Sequence, residues 1–167
     1  MPEEIPVGDF NFQYKGVYDL DAFYADMAQF FNDRKYILNE DIYKHKIPEI
    51  QLNWSAYRDD SEFKRSYLKV NLWSFNTKEV RVKIGGKEKV MYDGRVRMFI
   101  TSKLIYDQKK RYEKNELLKL MRKFLMRVIF FYKILGDWDD LFYETNDLKN
   151  IIKAAVNSSA QGGGWND

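Results

Sequence analysis

The chain has 167 residues and a mass of 20.1 kDa, enough for one domain that removes roughly 70% of its extended-chain surface from water. An apolar share of 45% and an aromatic share of 17% are too high for a disordered chain, and the lack of cysteine excludes a disulfide framework or a thiolate metal site. Net charge is only +3, yet it is sorted: residues 1–62 carry 6 basic and 13 acidic side chains, residues 63–135 carry 20 and 6, and residues 136–167 carry 2 and 6. Blocks of this kind point either to an anionic partner or to pairing within the molecule.

The opening MPEEIPVGDF lacks the basic start and apolar centre of a signal peptide, so the expected compartment is the cytoplasm. Asp9 to Gly16 is aromatic-rich without a clear period. From Leu20 the apolar residues Phe23, Tyr24, Met27, Phe30 and Phe31 recur at helical spacing, and Asp19 stands where an N-cap belongs, which predicts a helix over residues 20–35. After Pro48 the period becomes two. Ile50, Leu52, Trp54 and Ala56 predict a strand with one buried face, and Asp59-Asp60-Ser61 a turn.

Leu68, Val70 and Leu72 mark a second strand, and Val80, Val82 and Ile84 a third that ends at the hairpin signal Gly85-Gly86. Residues 87–91 return from it. Asp93-Gly94 predicts one more turn before a last strand carrying Val96, Met98, Ile100 and Leu104. Residues 112–135 then give the longest helix, about 35 Å, with Leu117, Met121, Phe124, Val128, Phe131 and Leu135 in one seam. Gly136 is expected to end it, and Asp137 or Asp139 to start a shorter acidic helix containing Leu141, Leu148 and Ile152.

The expected fold is α+β: a four- to five-stranded antiparallel meander with an N-terminal helix and two C-terminal helices packed on one face. Residues 1–156 form a single domain and 157–167, with Gly162-Gly163-Gly164 and Trp165, a flexible tail. The basic run Leu117 to Leu135 holds five cations, too many for a membrane span.

If the apolar strand residues face the core, their neighbours share the opposite face. That face would carry Tyr67, Lys69, Trp73 and Phe75, then Arg81 and Lys83, then Arg95, Arg97, Phe99 and Lys103. Such a face suits a protein partner, and its cations beside rings would also suit the phosphates and bases of a single strand. A second surface is the polar side of the long helix, Lys119, Arg122, Lys123 and Arg127. Its apolar seam is expected to pack in the core, and the acids after Gly136 to fold back against its cations, which disfavours an anionic membrane surface as partner.

Catalytic templates are missing. The one histidine, His45, lies between Lys44 and Lys46, and no HExxH, P-loop or GxSxG occurs. Asp59-Asp60, Asp139-Asp140 and Asp19-x-Asp21 are carboxylate pairs, each with a commoner role in a turn or at a helix start. The sequence therefore reads as a non-catalytic protein-interaction or assembly module, self-association included, with single-stranded nucleic-acid binding as the alternative and no cofactor or metal expected.

Overall fold

The structure, a computed structural model, describes residues 3–107, 116–124, 127–128 and 131–158. In chain order it contains β1 (Glu3–Tyr18), α1 (Leu20–Asp33), β2 (Ile37–Lys46), β3 (Glu49–Asp59), β4 (Lys64–Ile84), β5 (Lys87–Tyr106), α2 (Glu116–Phe124) and α3 (Phe131–Ser158). The strands form one antiparallel sheet in the order β1-β5-β4-β3-β2. This is the expected α+β class, with a five-stranded sheet built on the β2-to-β5 meander. β1 joins its far edge, so the connection through α1 spans the sheet.

Alternation explains the sheet's two faces. Leu52, Trp54, Leu68, Val70, Leu72, Val96, Met98 and Ile100 are buried under α1 and α3. α1 begins where its cap predicts: the Asp19 carboxylate accepts a hydrogen bond from the Ala22 N–H at 3.1 Å, and Phe23, Met27, Phe30 and Phe31 are buried. At the β4–β5 tip Gly85 and Gly86 have φ of 58° and 80°, the left-handed pair that a tight hairpin turn demands.

The structure departs from the sequence reading in four places, each for a physical reason. The stretch from Asp9 to Gly16 lies within β1, where Phe12 and Tyr14 are buried between the polar Asn11, Gln13 and Lys15. β2 has no periodic signal because it is an edge strand with nine of its ten residues exposed, and a register shift between Glu40 and Ile42 inserts Asp41. A similar shift between Pro6 and Gly8 interrupts β1. The expected second and third strands are one strand, β4, and Asp93-Gly94 is not a turn but the middle of β5.

The reason is a bulge. Phe75 pairs with Arg95 but Lys78 with Asp93, so β4 carries one residue more than β5 in this interval. Asn76 takes φ of 52°. The bulge is fixed from the helix side: the Tyr18 hydroxyl donates to Ser74 Oγ at 2.7 Å, Ser74 and Thr77 hydroxyls meet at 2.7 Å, and the Thr77 N–H donates to the Pro48 carbonyl at 2.9 Å. Burial, partly offset by the Ser74 and Thr77 hydroxyls, pushes Tyr18 up to about 12. Gly94 lies against this bulge, where an added Cβ would meet Thr77 Oγ1 at 3.0 Å, the Phe75 carbonyl oxygen at 3.1 Å and Ser74 Oγ at 3.1 Å.

The fourth departure concerns the C-terminal helices. Gly136 does not end a helix, since α3 runs through it. Contacts outweigh glycine's weak helix propensity. Asp137 pairs with Lys64 at 2.8 Å and accepts from the Tyr106 hydroxyl at 2.9 Å, while Trp138 Nε1–H donates to the Pro6 carbonyl at 3.1 Å. Part of the expected long helix, residues 112–115, 125–126 and 129–130, lies outside the described residues; of the expected tail 157–167, Asn157 and Ser158 still belong to α3, and residues 159–167 lie outside the described residues.

Gly94→Ala should lower stability by about 1–3 kcal/mol, the usual cost of overpacking a closed site. Urea unfolding would show a lower midpoint at an unchanged slope.

Candidate functional site

The face of the sheet opposite α1 and α3 carries eight of the ten sequence-predicted sheet residues. Across β4 and β5, Phe75 pairs with Arg95, Trp73 with Arg97, Asn71 with Phe99, Lys69 with Thr101 and Tyr67 with Lys103. Each of these pairs is in antiphase with the buried Leu68, Val70, Leu72, Val96, Met98 and Ile100. Trp73 and Phe75 remain 37% and 39% exposed, which is high for rings on a central strand. Trp73 meets Phe99 at 6.1 Å and Phe75 at 6.5 Å, with interplanar angles of 69° and 71°.

Arg81 and Lys83 do not join this face. The bulge reverses the phase of β4, as the Ser74–Thr77 contact shows: residues three apart share one side, which a regular strand forbids. Beyond it Arg81 stands opposite Val90 and Lys83 opposite Glu88, in phase with Tyr92. Tyr92 packs 6.1 Å from the buried Tyr18 on the helix side. Val80 and Val82, expected in the core, are only half-buried for the same reason, and the side chain of Ile84 lies outside the described residues.

β1 and β3 add residues that the sequence reading missed. Lys15 pairs with Arg95, Gln13 with Arg97 and Asn11 with Phe99, while Gln51 and Asn53 stand beside Trp73 and Asn71. The signal for the β1 set was present in the alternation of Phe12 and Tyr14 with Asn11, Gln13 and Lys15. A depression at this end of the sheet is lined by Gln13, Lys15, Phe75, Asn76, Arg95 and Arg97, among others.

Charge divides the face into two ends. At one end the cations are matched: Lys103 binds Glu4 at 2.9 Å, and Arg65 binds Asp59 at 2.6 Å. The hydrogen bond to Asp59 raises the Arg65 pKa further. At the other end Lys15, Arg95 and Arg97 have no carboxylate within ion-pair distance among the described residues, nor has Lys69 nearer the middle. Asp93, next in phase on β5, stands opposite Lys78. Like charges directly across a ladder repel, so the Lys15–Arg95 pair raises the positive potential at this end.

The second predicted surface is changed more deeply. Lys119, Lys123 and Arg127 are exposed, and Lys119 binds Glu116 at 2.8 Å. Arg122 belongs to α2, with its side chain outside the described residues. The seam expected in the core is exposed instead, with Leu117 at 67%, Phe124 at 59% and Val128 at 58%. No described residue between 108 and 133 contributes to the core.

Of the acids expected to cover those cations, Asp137, Glu144 and Asp147 are engaged elsewhere. Lys64 binds Asp60 and Asp137, Arg58 binds Asp60 and Glu144, and Arg34 binds Asp147. Tyr36 donates to Glu144 at 2.6 Å. Burial raises the Tyr36 and Tyr106 pKa values, and their hydrogen bonds to Glu144 and Asp137 raise them further. Burial alone would raise Asp60, but hydrogen bonds from Ser66 and Arg58 and the charges of Arg58 and Lys64 hold it below the usual carboxylate range.

Most of the remaining candidate groups have structural partners. Asp59 and Asp60 belong to ion pairs, Asp19 caps α1, and His45 is exposed beside Tyr43 and 5.2 Å from the Tyr92 ring. Asp139 and Asp140 lie inside α3 rather than at its start. Among the described residues no group of three or more His, Asp or Glu side chains could hold a metal ion, and no helix is long and apolar enough to cross a membrane. No protein-family model matches the chain, and no curated protein is similar enough to it to be counted a relative.

Because Asp60 titrates below its unfolded value of about 3.9, it contributes stability that is fully present above that value. That contribution is lost as pH falls through the folded pKa. Asp60→Asn should cost about 1–3 kcal/mol at neutral pH and flatten the loss of stability below about pH 4. Denaturation at a series of pH values measures both effects.

Proposed function

We propose that the chain is a non-catalytic protein-interaction module whose open sheet face receives an acidic, aromatic-bearing segment of another protein. What carries this reading is the cluster of Lys15, Arg95 and Arg97, unmatched by carboxylates among the described residues and set beside the exposed Trp73 and Phe75. Carboxylates would bind the guanidinium groups in bidentate fashion, and apolar side chains would cover the rings. Gln13 and Gln51 supply amide donors and acceptors beside them. A cytoplasmic setting, expected from the sequence, goes with such a role.

Single-stranded nucleic acid would use the same cations. Stacking of successive bases favours rings lying flat on a sheet. Here Trp73 meets both neighbouring rings at angles near perpendicular, which suits an irregular apolar surface better than a stack of parallel bases.

The test is fluorescence anisotropy with a labelled peptide rich in Glu and Trp, and in parallel with labelled oligothymidylate. Peptide binding should weaken with salt, and Arg95→Glu with Arg97→Glu should weaken it by about tenfold or more. Arg81→Glu with Lys83→Glu, an equal charge change on the other phase, should leave it intact. Equal losses in the two double variants, or binding of the oligonucleotide alone, would overturn the proposal.

A further inference from the structure

We infer that α2 is a membrane-surface element, its apolar face seated among the acyl chains of an anionic lipid surface and its cations at the level of the headgroup phosphates. Leu117, Leu120, Met121, Phe124 and Val128 are all between 47% and 67% exposed. The core draws on β1, α1, β3, β4, β5 and α3, and takes no described residue from α2. A helix gains nothing by turning its apolar side to water, so this face needs an occupant.

Charge decides which occupant. Along the described residues from 116 to 128, Lys119, Lys123 and Arg127 flank the apolar face, and the single carboxylate, Glu116, is bound to Lys119. Lys123 and Arg127 also rim the otherwise apolar groove of Leu120, Met121, Phe124 and Val128. A second copy of the chain laid on this face would bring like charges together along most of its length. Of the acids of α3, Asp137, Glu144 and Asp147 hold Lys64, Arg58 and Arg34, and the exposed Asp139 and Asp140 form no ion pair with these cations among the described residues. An anionic lipid surface offers both what the rings and aliphatic groups need and what the cations need. An amphipathic helix whose polar side is basic is the form such elements take. Lysine and arginine stems lie along the apolar boundary while their heads reach the phosphates.

The experiment is sedimentation of the full chain with vesicles of phosphatidylcholine alone or with about 30% phosphatidylserine. Binding should rise about tenfold with the anionic lipid and fall with added salt. Leu120→Glu with Phe124→Glu should abolish it, Lys123→Glu with Arg127→Glu should reduce it about tenfold, and all variants should keep the wild-type circular dichroism because the altered side chains are exposed. Arg95→Glu with Arg97→Glu should bind vesicles as wild type does, which separates this inference from the sheet-face proposal. In Phe124→Trp, tryptophan emission should shift to the blue on adding anionic vesicles. The inference is overturned by absent binding at low salt, by unchanged binding of Leu120→Glu with Phe124→Glu, or by loss of binding in Arg95→Glu with Arg97→Glu. It is equally overturned by a dimer in light scattering that Phe124→Glu converts to a monomer, since a second copy would then occupy the face.

Discussion

The ionic clasp between the first half of α3 and the Arg58-to-Lys64 end of the sheet governs much else in this molecule. Five charged side chains, Arg58, Asp60, Lys64, Asp137 and Glu144, share one partly buried site with the hydroxyls of Tyr36, Ser66 and Tyr106. Buried ion pairs contribute little net stability but penalise every arrangement that leaves one member alone. The clasp therefore sets where α3 lies over the sheet. It also fixes where the acids of the C-terminal block act, and so which cations of the middle block are left without them.

Much of the fold could be read from the sequence because burial and period coincide in it. Leu68 to Leu72 and Val96 to Ile100 alternate as a one-sided strand must, and Asp19 and Gly85-Gly86 occupy positions whose backbone geometry they suit. What could not be read depends on partners distant in sequence. The extra residue at Asn76–Thr77 has meaning only against Gly94 and Tyr18, and without it the phase of Arg81 and Lys83 comes out reversed. Gly136 looks like a helix end until Asp137 and Trp138 find Lys64, Tyr106 and Pro6. The seam of α2 has the spacing of a core helix, and spacing alone does not tell whether a core lies beneath it.

Eight candidate residues share the open face because alternation transmits a single choice of buried side along a whole strand. The same logic makes the face sensitive to any insertion: one residue more or less in β4 would send Trp73 and Phe75 toward α1 and α3. Position on this sheet is thus specified by register, whereas position on α2 is specified only by the helical repeat. The two surfaces also differ in support, one resting on a rigid ladder of hydrogen bonds and the other carried on an element outside the core.

The register shifts in the outer strands have a consequence of their own. β1 is interrupted between Pro6 and Gly8 and β2 between Glu40 and Ile42, and the end of β2 carries Lys44, His45 and Lys46. Proline, bulges and lysines on outer strands are what keeps one sheet from annealing to the next. With both rims blunted in this way, fibrous growth by strand addition is discouraged even at high concentration, and the molecule can display exposed rings on its flat side without recruiting further sheets at its borders.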